Sequence, residues 1–298
     1  MQHFLSLLDL DTAALEGLVQ RAIVLKRLRR QGNSAEPLAG KTLGMIFEKA
    51  STRTRVSFEA GMIQLGGHAM FLSPRDMQLG RGEPVTDTAR VLSRMVDGIL
   101  IRTFSHQTLE TFAAASEVPV INGLSDRLHP CQLLADIQTF VEHRGAIRGR
   151  RIAFVGDANN MCRSYANAAR RFEFTLHVAS PPGFDLDAET LQAADDWVRT
   201  FTDPFAAVRG CDAVVTDVWA SMGQEAEQDA RVTAFDGFQV TEAMMAEAGP
   251  EALFLHCLPA HRGEEVAAEV IDGPRSLVWD EAENRLHSQK ALLEYLLG

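Results

Sequence analysis

Ser51, Thr52, Arg53, Thr54 and Arg55 stand in five consecutive positions of a chain that is acidic as a whole, with a net charge of −11 over 298 residues. Hydroxyl and guanidinium groups are donors, and the planar fork of an Arg matches the oxygens of a phosphate as a Lys point charge does not. An ordinary helix cap with surface arginines would account for a lone Ser-Thr pair; five donors in a row favour a bound anion. If Ser51 caps a helix, the free N–H groups of its first turn and the positive end of its macrodipole add to the same attraction. Arg53 and Arg55 lie about 200° apart around a helix, so Arg53 is assigned to the anion and Arg55 to a structural ion pair.

Three further places offer donors or acceptors just after an apolar run, the third spread through the second half of the chain. Arg102 closes "ILIRTF", and His129 and Gln132, three apart, share one side of a helix that can start at Pro130. A lone His at a helix start is more often a cap or a surface residue; beside Gln132, and at the same sheet edge as Arg53 and Arg102, it is a candidate donor to a carbonyl or phosphate oxygen. In the second half Asn160 follows "IAFVGDAN", Asp217 follows "AVVT" and Cys257 follows "LFLH". The "VWASMGQE" after Asp217 reads equally as a functional loop tip or a plain turn. His256, Cys257 and His261 raise a thiol nucleophile or a metal site, but neighbours on a strand face opposite ways and no second ligand pair is evident, so both are ranked low.

These residues need a scaffold that brings strand ends together. An amphipathic helix is expected from Leu15, Leu18, Val19, Ala22, Ile23 and Leu25. Then "KTLGMIF", "HAMFLS", "GILIRTF" and "VPVING" read as strands, each followed by a helical pattern, the last being "HPCQLLADIQTFVEHRG". After a basic, Gly-bearing linker at 143–150 a second series begins: strand "RIAFVGD", helix "NMCRSYANAARRF", strand "TLHVAS", helix "DAETLQAADDWVRTF", and strands "DAVVTDVW" and "ALFLHCL". Alternation of this kind gives parallel sheets covered on both faces, with ligands beyond the carboxyl ends of the strands. The fold class expected is α/β, two domains, each a Rossmann-like parallel sheet flanked by helices. A terminal helix, "SQKALLEYLLG", could return to the first domain.

Composition narrows the function classes. Hydrophobic residues make up 46% and charged residues 23%, the profile of a compact soluble protein. The negative balance argues against general nucleic-acid or anionic-membrane binding, and no apolar run reaches about 18 residues. Four separated cysteines without C-x-x-C, and an N-terminus without a basic leader, point to reduced thiols and a cytoplasmic location. A dinucleotide site would need G-x-G-x-x-G with an acid about 20 residues on. The turn is instead "GDANNM", and the next strand ends in "VASPP".

Taken together, "STRTR" (51–55), "MQLGRGEPVTDTARVLSRM" (77–95), "HPCQLLAD" (129–136), "GDANNM" (156–161), "DVWASMGQE" (217–225), "HCLPAHRGEEV" (256–266) and "EAENRLHSQKALL" (281–293) resemble the aspartate/ornithine carbamoyltransferase family, in the family's order and over nearly the whole chain. The resemblance implies a carbamoyl phosphate-binding domain at 1–140, completed by the terminal helix 286–298, and an ornithine-binding domain at 150–275, joined by inter-domain helices. Ser51, Thr52, Arg53 and Thr54 would hold the phosphate, with Gln78 reaching in from a neighbouring subunit. Arg102, His129 and Gln132 would grip the carbamoyl end and Arg285 would close over it. Asn160, Asp217, Ser221 and Met222 would bind the α-amino and α-carboxylate groups of ornithine, and Cys257 and Leu258 would sit by its δ-amine. Arg102, His129, Asp217 and Cys257 are the catalytic candidates.

The implied reaction moves the carbamoyl group of carbamoyl phosphate to the δ-amine of ornithine, giving citrulline and phosphate, with no cofactor or metal. The family also implies a homotrimer with active sites between subunits, and commonly a cis bond at the position of Leu258–Pro259. Transfer to another amine such as putrescine, or an inactive binding-only relative, are the rival readings. The D-x-x-x-S-M-G pattern at Asp217 disfavours aspartate as the acceptor.

Overall fold

The computed structural model describes residues 2–33, 35–73, 77, 82–220 and 228–298 (228 and 229 as backbone). Gln78, Ser221 and Met222 fall outside the described residues. The chain divides into two compact units, Met1–Gln138 with Glu283–Gly298, and Thr139–Ala282.

In unit 1, α1 (Thr12–Arg30) precedes the regular alternation β1 (Thr42–Phe47), α2 (Thr52–Gln64), β2 (His68–Leu72), α3 (Val85–Leu92), β3 (Gly98–Arg102), α4 (His106–Ala115) and β4 (Val120–Leu124). The four strands are parallel in the order β2-β1-β3-β4. All five residues of β3 are buried, as a central strand covered on both faces requires. One core packs Ile46, Ile99, Ile101 and Val120 from the sheet against Ala89 of α3 and Leu109 and Phe112 of α4. Strand order places the turns after β1 and β3 side by side, with Phe47 in register with Arg102. The two arginine-bearing segments are neighbours for that reason.

α5 (Pro130–Arg144) begins in unit 1 and ends in unit 2. Unit 2 continues with β5 (Arg151–Val155), α6 (Asn160–Phe172), β6 (Thr175–Ala179), α7 (Ala188–Ala194), β7 (Val198–Phe201), α8 (Pro204–Val208), β8 (Ala213–Thr216), α9 (Gln228–Ala234), α10 (Glu242–Glu247), β9 (Leu253–His256) and α11 (Ala268–Ile271). Its five parallel strands run β7-β6-β5-β8-β9. The order reverses at β5, between β6 and β8, so the ends of β5, β8 and β9 form one edge. α12 (Val278–Leu297) then returns the chain to unit 1, where Arg21 and Glu294 pair at 2.7 Å.

Two expectations are overturned here. Residues 187–201 do not form one helix: α7 stops at Ala194, Asp195 takes the left-handed φ of 51°, and Val198–Phe201 pairs with β6 as an edge strand. The helical spacing of Leu191, Ala194 and Val198 hid the β-branched and aromatic content of "VRTF", and its half-exposed face carries no clean alternation. The strand expected to run to Trp219 ends at Thr216, where the backbone turns into Asp217.

Candidate active site

In unit 1 the donor cluster grows from the N-terminus of α2. Ser51 has extended backbone and its Oγ accepts the Thr54 N–H at 3.2 Å, the cap anticipated from the sequence. Arg55 pairs with Glu59 one turn on at 3.1 Å and lies 3.9 Å over the Phe71 ring, which directs it away from the cap. Thr54 is fully buried and its Oγ1 accepts from Arg285 at 3.2 Å, while the other Arg285 nitrogen donates to Gln132 Oε1 at 2.6 Å. Gln132 passes its own N–H to Asp136 at 2.9 Å. With its amide oxygen toward Arg285, Gln289 accepts from Nη2 at 2.8 Å and Nε at 2.9 Å and donates to Ser57.

His129, at the start of α5, is buried beside three guanidinium groups. Burial, followed by Arg285, Arg102 and Arg53, holds its pKa well below the ordinary histidine value, so it is a neutral imidazole at neutral pH. Arg102 itself is only 7% exposed at the end of β3. Ser51, Thr54, Arg53, Arg102, His129, Gln132 and Arg285 are therefore brought together in unit 1. The cluster holds three cations and a neutral ring, a site suited to a compact dianion with a polar carbonyl. Cys131, one residue past Pro130, is tied down: its thiol donates to the Asn122 carbonyl and burial pushes its pKa up to about 12.

In unit 2 the turns after β5, β8 and β9 converge. Gly156 ends β5 with φ 131°, and a Cβ there would lie 3.3 Å from Thr216 Oγ1, so glycine is required both by conformation and by the closeness of β8. Asp217 is 8% exposed and accepts three hydrogen bonds: from its own Val218 N–H at 2.9 Å, from the Cys257 thiol at 3.2 Å, and from the Asn159 amide at 2.8 Å. Asn160 is the first residue of α6, half-buried on the same turn. Asp157 pairs with Arg231 at 2.8 Å, and Arg231 also donates to the Trp219 carbonyl at 2.7 Å. Burial raises the Asp157 pKa, Arg231 opposes it, and Asp217 adds to the rise.

Cys257 and His256 do not face opposite ways as strand alternation suggested. β9 stops at His256, the pleat ends with it, and donor atoms of Asp217, His256 and Cys257 lie within 4.8 Å of one another. Both nitrogens of His256 are engaged. Nδ1 accepts the Leu258 N–H at 2.9 Å, so Nε2 carries the proton and donates to Glu265 at 3.1 Å, with both side chains fully buried. Glu265 also accepts the His261 N–H at 2.6 Å. This frame holds Leu258, whose φ is 57° and whose bond to Pro259 is cis, in a conformation that non-glycine residues seldom adopt.

Asn159, Asp136, Gln289 and Glu265 were not picked out from the sequence. An Asn just before a helical pattern is a cap signal for Asn159. The other three act across 4 to 9 residues of helix or loop and leave no local trace.

Comparison with known proteins also splits the chain near residue 145, although the second match runs on through α12, which folds with unit 1. Residues 2–142 match the family model described as aspartate/ornithine carbamoyltransferase, carbamoyl-P binding domain, and residues 148–296 match its Asp/Orn binding domain. The ornithine carbamoyltransferase of Halorhodospira halophila is 63% identical over 297 residues, covering 100% of this chain and 99% of the relative. The anabolic ornithine carbamoyltransferase of Pseudomonas aeruginosa is 61% identical, covering 100% and 97%. Among solved structures, ornithine carbamoyltransferase from Burkholderia thailandensis superimposes with a TM-score of 0.93 at 53% identity, covering 100% of this chain and 99% of that one. That from Pyrococcus furiosus superimposes at 0.96 with 46% identity, covering 100% and 97%.

Proposed function

The chain belongs to the aspartate/ornithine carbamoyltransferase family, and we infer from this that it is an enzyme that transfers the carbamoyl group of carbamoyl phosphate to the δ-amine of ornithine, releasing citrulline and phosphate. The observation that carries the reading is the set of guanidinium groups of Arg53, Arg102 and Arg285 around a neutral His129. A relative 61% identical that is named anabolic supports the citrulline-forming direction, a step toward arginine.

The roles proposed are those that the family resemblance implies for these positions. Ser51, Thr52, Arg53 and Thr54 take the phosphate at the N-terminus of α2, with Gln78 supplied by a neighbouring subunit. Arg102, His129, Gln132 and Arg285 take the carbamoyl end. Asn160, Asp217, Ser221 and Met222 take the amino-acid end of ornithine, and Cys257 and Leu258 its δ-amine. An alkyl amine with a pKa of ~10.4 must shed a proton before it can attack. The Cys257 thiol faces that amine and can take its proton while passing its own to Asp217 Oδ1, 3.2 Å away. The amine lone pair then adds to the carbamoyl carbon, and charge grows on the carbonyl oxygen where Thr54, Arg102 and His129 can donate. The C–O bond to phosphate breaks, the phosphate keeps the electron pair among the donors of α2, and the second proton of the attacking nitrogen passes to it.

A homotrimer and a cytoplasmic location complete the proposal. Val56, Ile63, Met70 and Met95, at 51% exposure or more, give unit 1 an apolar surface that a subunit contact would cover. Four free cysteines suit a reducing compartment, and no helix among the described residues is long and apolar enough to cross a membrane. The function is tested by supplying carbamoyl phosphate with ornithine, putrescine, N-acetylornithine or aspartate and measuring ureido product. Ornithine should be best by a wide margin; a better rate with another amine would replace the acceptor assigned here.

A further inference from the structure

We propose that Asn159 is a positioning residue that fixes the orientation of the Asp217 carboxylate toward the substrate amine. The inference rests on the reading above, in which Asp217 contacts ornithine.

The side-chain amide of Asn159 is used at both ends. Its oxygen accepts from the N–H groups of Met161 at 2.8 Å and Cys162 at 3.4 Å, capping α6. That leaves Nδ2 pointing the other way, and it donates to Asp217 Oδ2 at 2.8 Å, between residues 58 apart in sequence. The cap determines which end of the amide faces Asp217, so the orientation is set by two independent partners. No other side chain of the usual N-cap set does both: Ser and Thr cap but are too short to reach, and Asp caps but offers no N–H.

The consequence for Asp217 can be counted in lone pairs. A carboxylate has about four acceptor directions. Val218 N–H and the Cys257 thiol occupy Oδ1, and Asn159 occupies one direction of Oδ2. One direction on Oδ2 is left, and its bearing is fixed because the other three hold the carboxylate plane. An ammonium or amine meeting Asp217 is directed to that position. Without the Asn159 donor, both directions on Oδ2 are open and the plane is held from one side only. Ornithine then meets a carboxylate with rotational freedom, and the ordering cost is taken from its binding.

Two substitutions separate this role from the cap. Asn159→Ser keeps an N-cap acceptor and removes the reach to Asp217. Asn159→Asp keeps cap and reach but faces Asp217 with a carboxylate oxygen. Asn159→Ser should keep the thermal midpoint near wild type, and both should leave carbamoyl phosphate affinity by calorimetry within twofold. Both should raise the KM for ornithine by about 10- to 100-fold, the loss of one charge-assisted hydrogen bond, with Asn159→Asp the worse. Ornithine KM unchanged in Asn159→Ser would overturn the inference, as would a loss shared equally by carbamoyl phosphate binding. A crystal structure of Asn159→Ser is independent of activity: the Asp217 plane should rotate, and an Asp217 superimposed on wild type refutes the positioning role. If Asp217 rotates but the wild-type chain makes no ureido product from ornithine, the functional reading fails and the positioning role stands.

Discussion

Arg285 donates to Thr54 Oγ1 at 3.2 Å across 231 residues of sequence, and in doing so ties the last helix of the chain to the first turn of α2. The same guanidinium spans Gln132 at 2.6 Å and is held from behind by Gln289. A Lys could keep the charge but not the fork. Arg285→Lys should weaken carbamoyl phosphate binding by about 10-fold, within the range for a hydrogen bond to a charged group. Calorimetric titration that finds equal affinity would remove the fork from the binding site.

Arg102 sits at the end of a fully buried strand, where its backbone is paired on both sides. Truncation there should leave the fold intact and strike the transition state. Arg102→Ala is expected to lower turnover by about 10² to 10³, the usual effect of losing one donor to a developing oxyanion. Steady-state kinetics with saturating substrates check this, and unchanged turnover would take Arg102 out of the reaction.

Acid sensitivity follows from two buried histidines of unit 1. Burial lowers the pKa of His287 to about 4, and burial with three neighbouring arginines lowers that of His129 well below 6.5. Both are neutral when folded, whereas the unfolded chain takes up their protons at about 6.5. The unfolded state therefore binds more protons below that pH, and stability falls as pH drops from about 6.5, for His287 down to about 4. Urea unfolding at pH 7.5 and 5.5 should show this loss, and His287→Gln should shrink it. An equal loss in the variant would mean that His287 is not among the groups responsible.

Assembly can be tested on the apolar surface of unit 1. Ile63 is 69% exposed and Met95 73%. The double substitution Ile63→Glu with Met95→Glu places charge where a subunit contact is proposed, and sedimentation should move from three chains toward one. A double variant that still sediments as a trimer would put the contact elsewhere.

The sheets were legible because each strand is short, apolar and bounded, and because helix starts carry recognisable caps at Ser51, Ser105 and Asp187. Thr54, His129 and Asp217 could be singled out because parallel sheets gather ligands at strand ends, wherever those strands fall in the sequence. β7 was not legible, since an edge strand half in solvent shows no clean period and its first residues prolong a helical spacing. The partners behind the site were least legible. Gln289 has no local reason to be anything but a surface amide in a long helix, yet it is fully buried and holds Arg285. Glu265 lies in a charged run that reads as solvated, yet it is buried and bonded to His256. Polarity in the sequence says that a group needs a partner; only the fold says which.

Unit 1 is assembled from the two ends of the described chain, Met1–Gln138 and Glu283–Gly298. Lys26 bonds to Asn284 and Arg21 to Glu294, contacts spanning 258 and 273 residues. Chains emerge from the ribosome N-terminus first at about 5–20 residues per second. Residues 1–138 must then wait roughly ten seconds or more for the helix that closes their core and supplies Arg285, while Thr139–Ala282 has every piece it needs earlier. The unit that begins first is the one that finishes last, and its apolar face stays open until Glu283–Gly298 has been made.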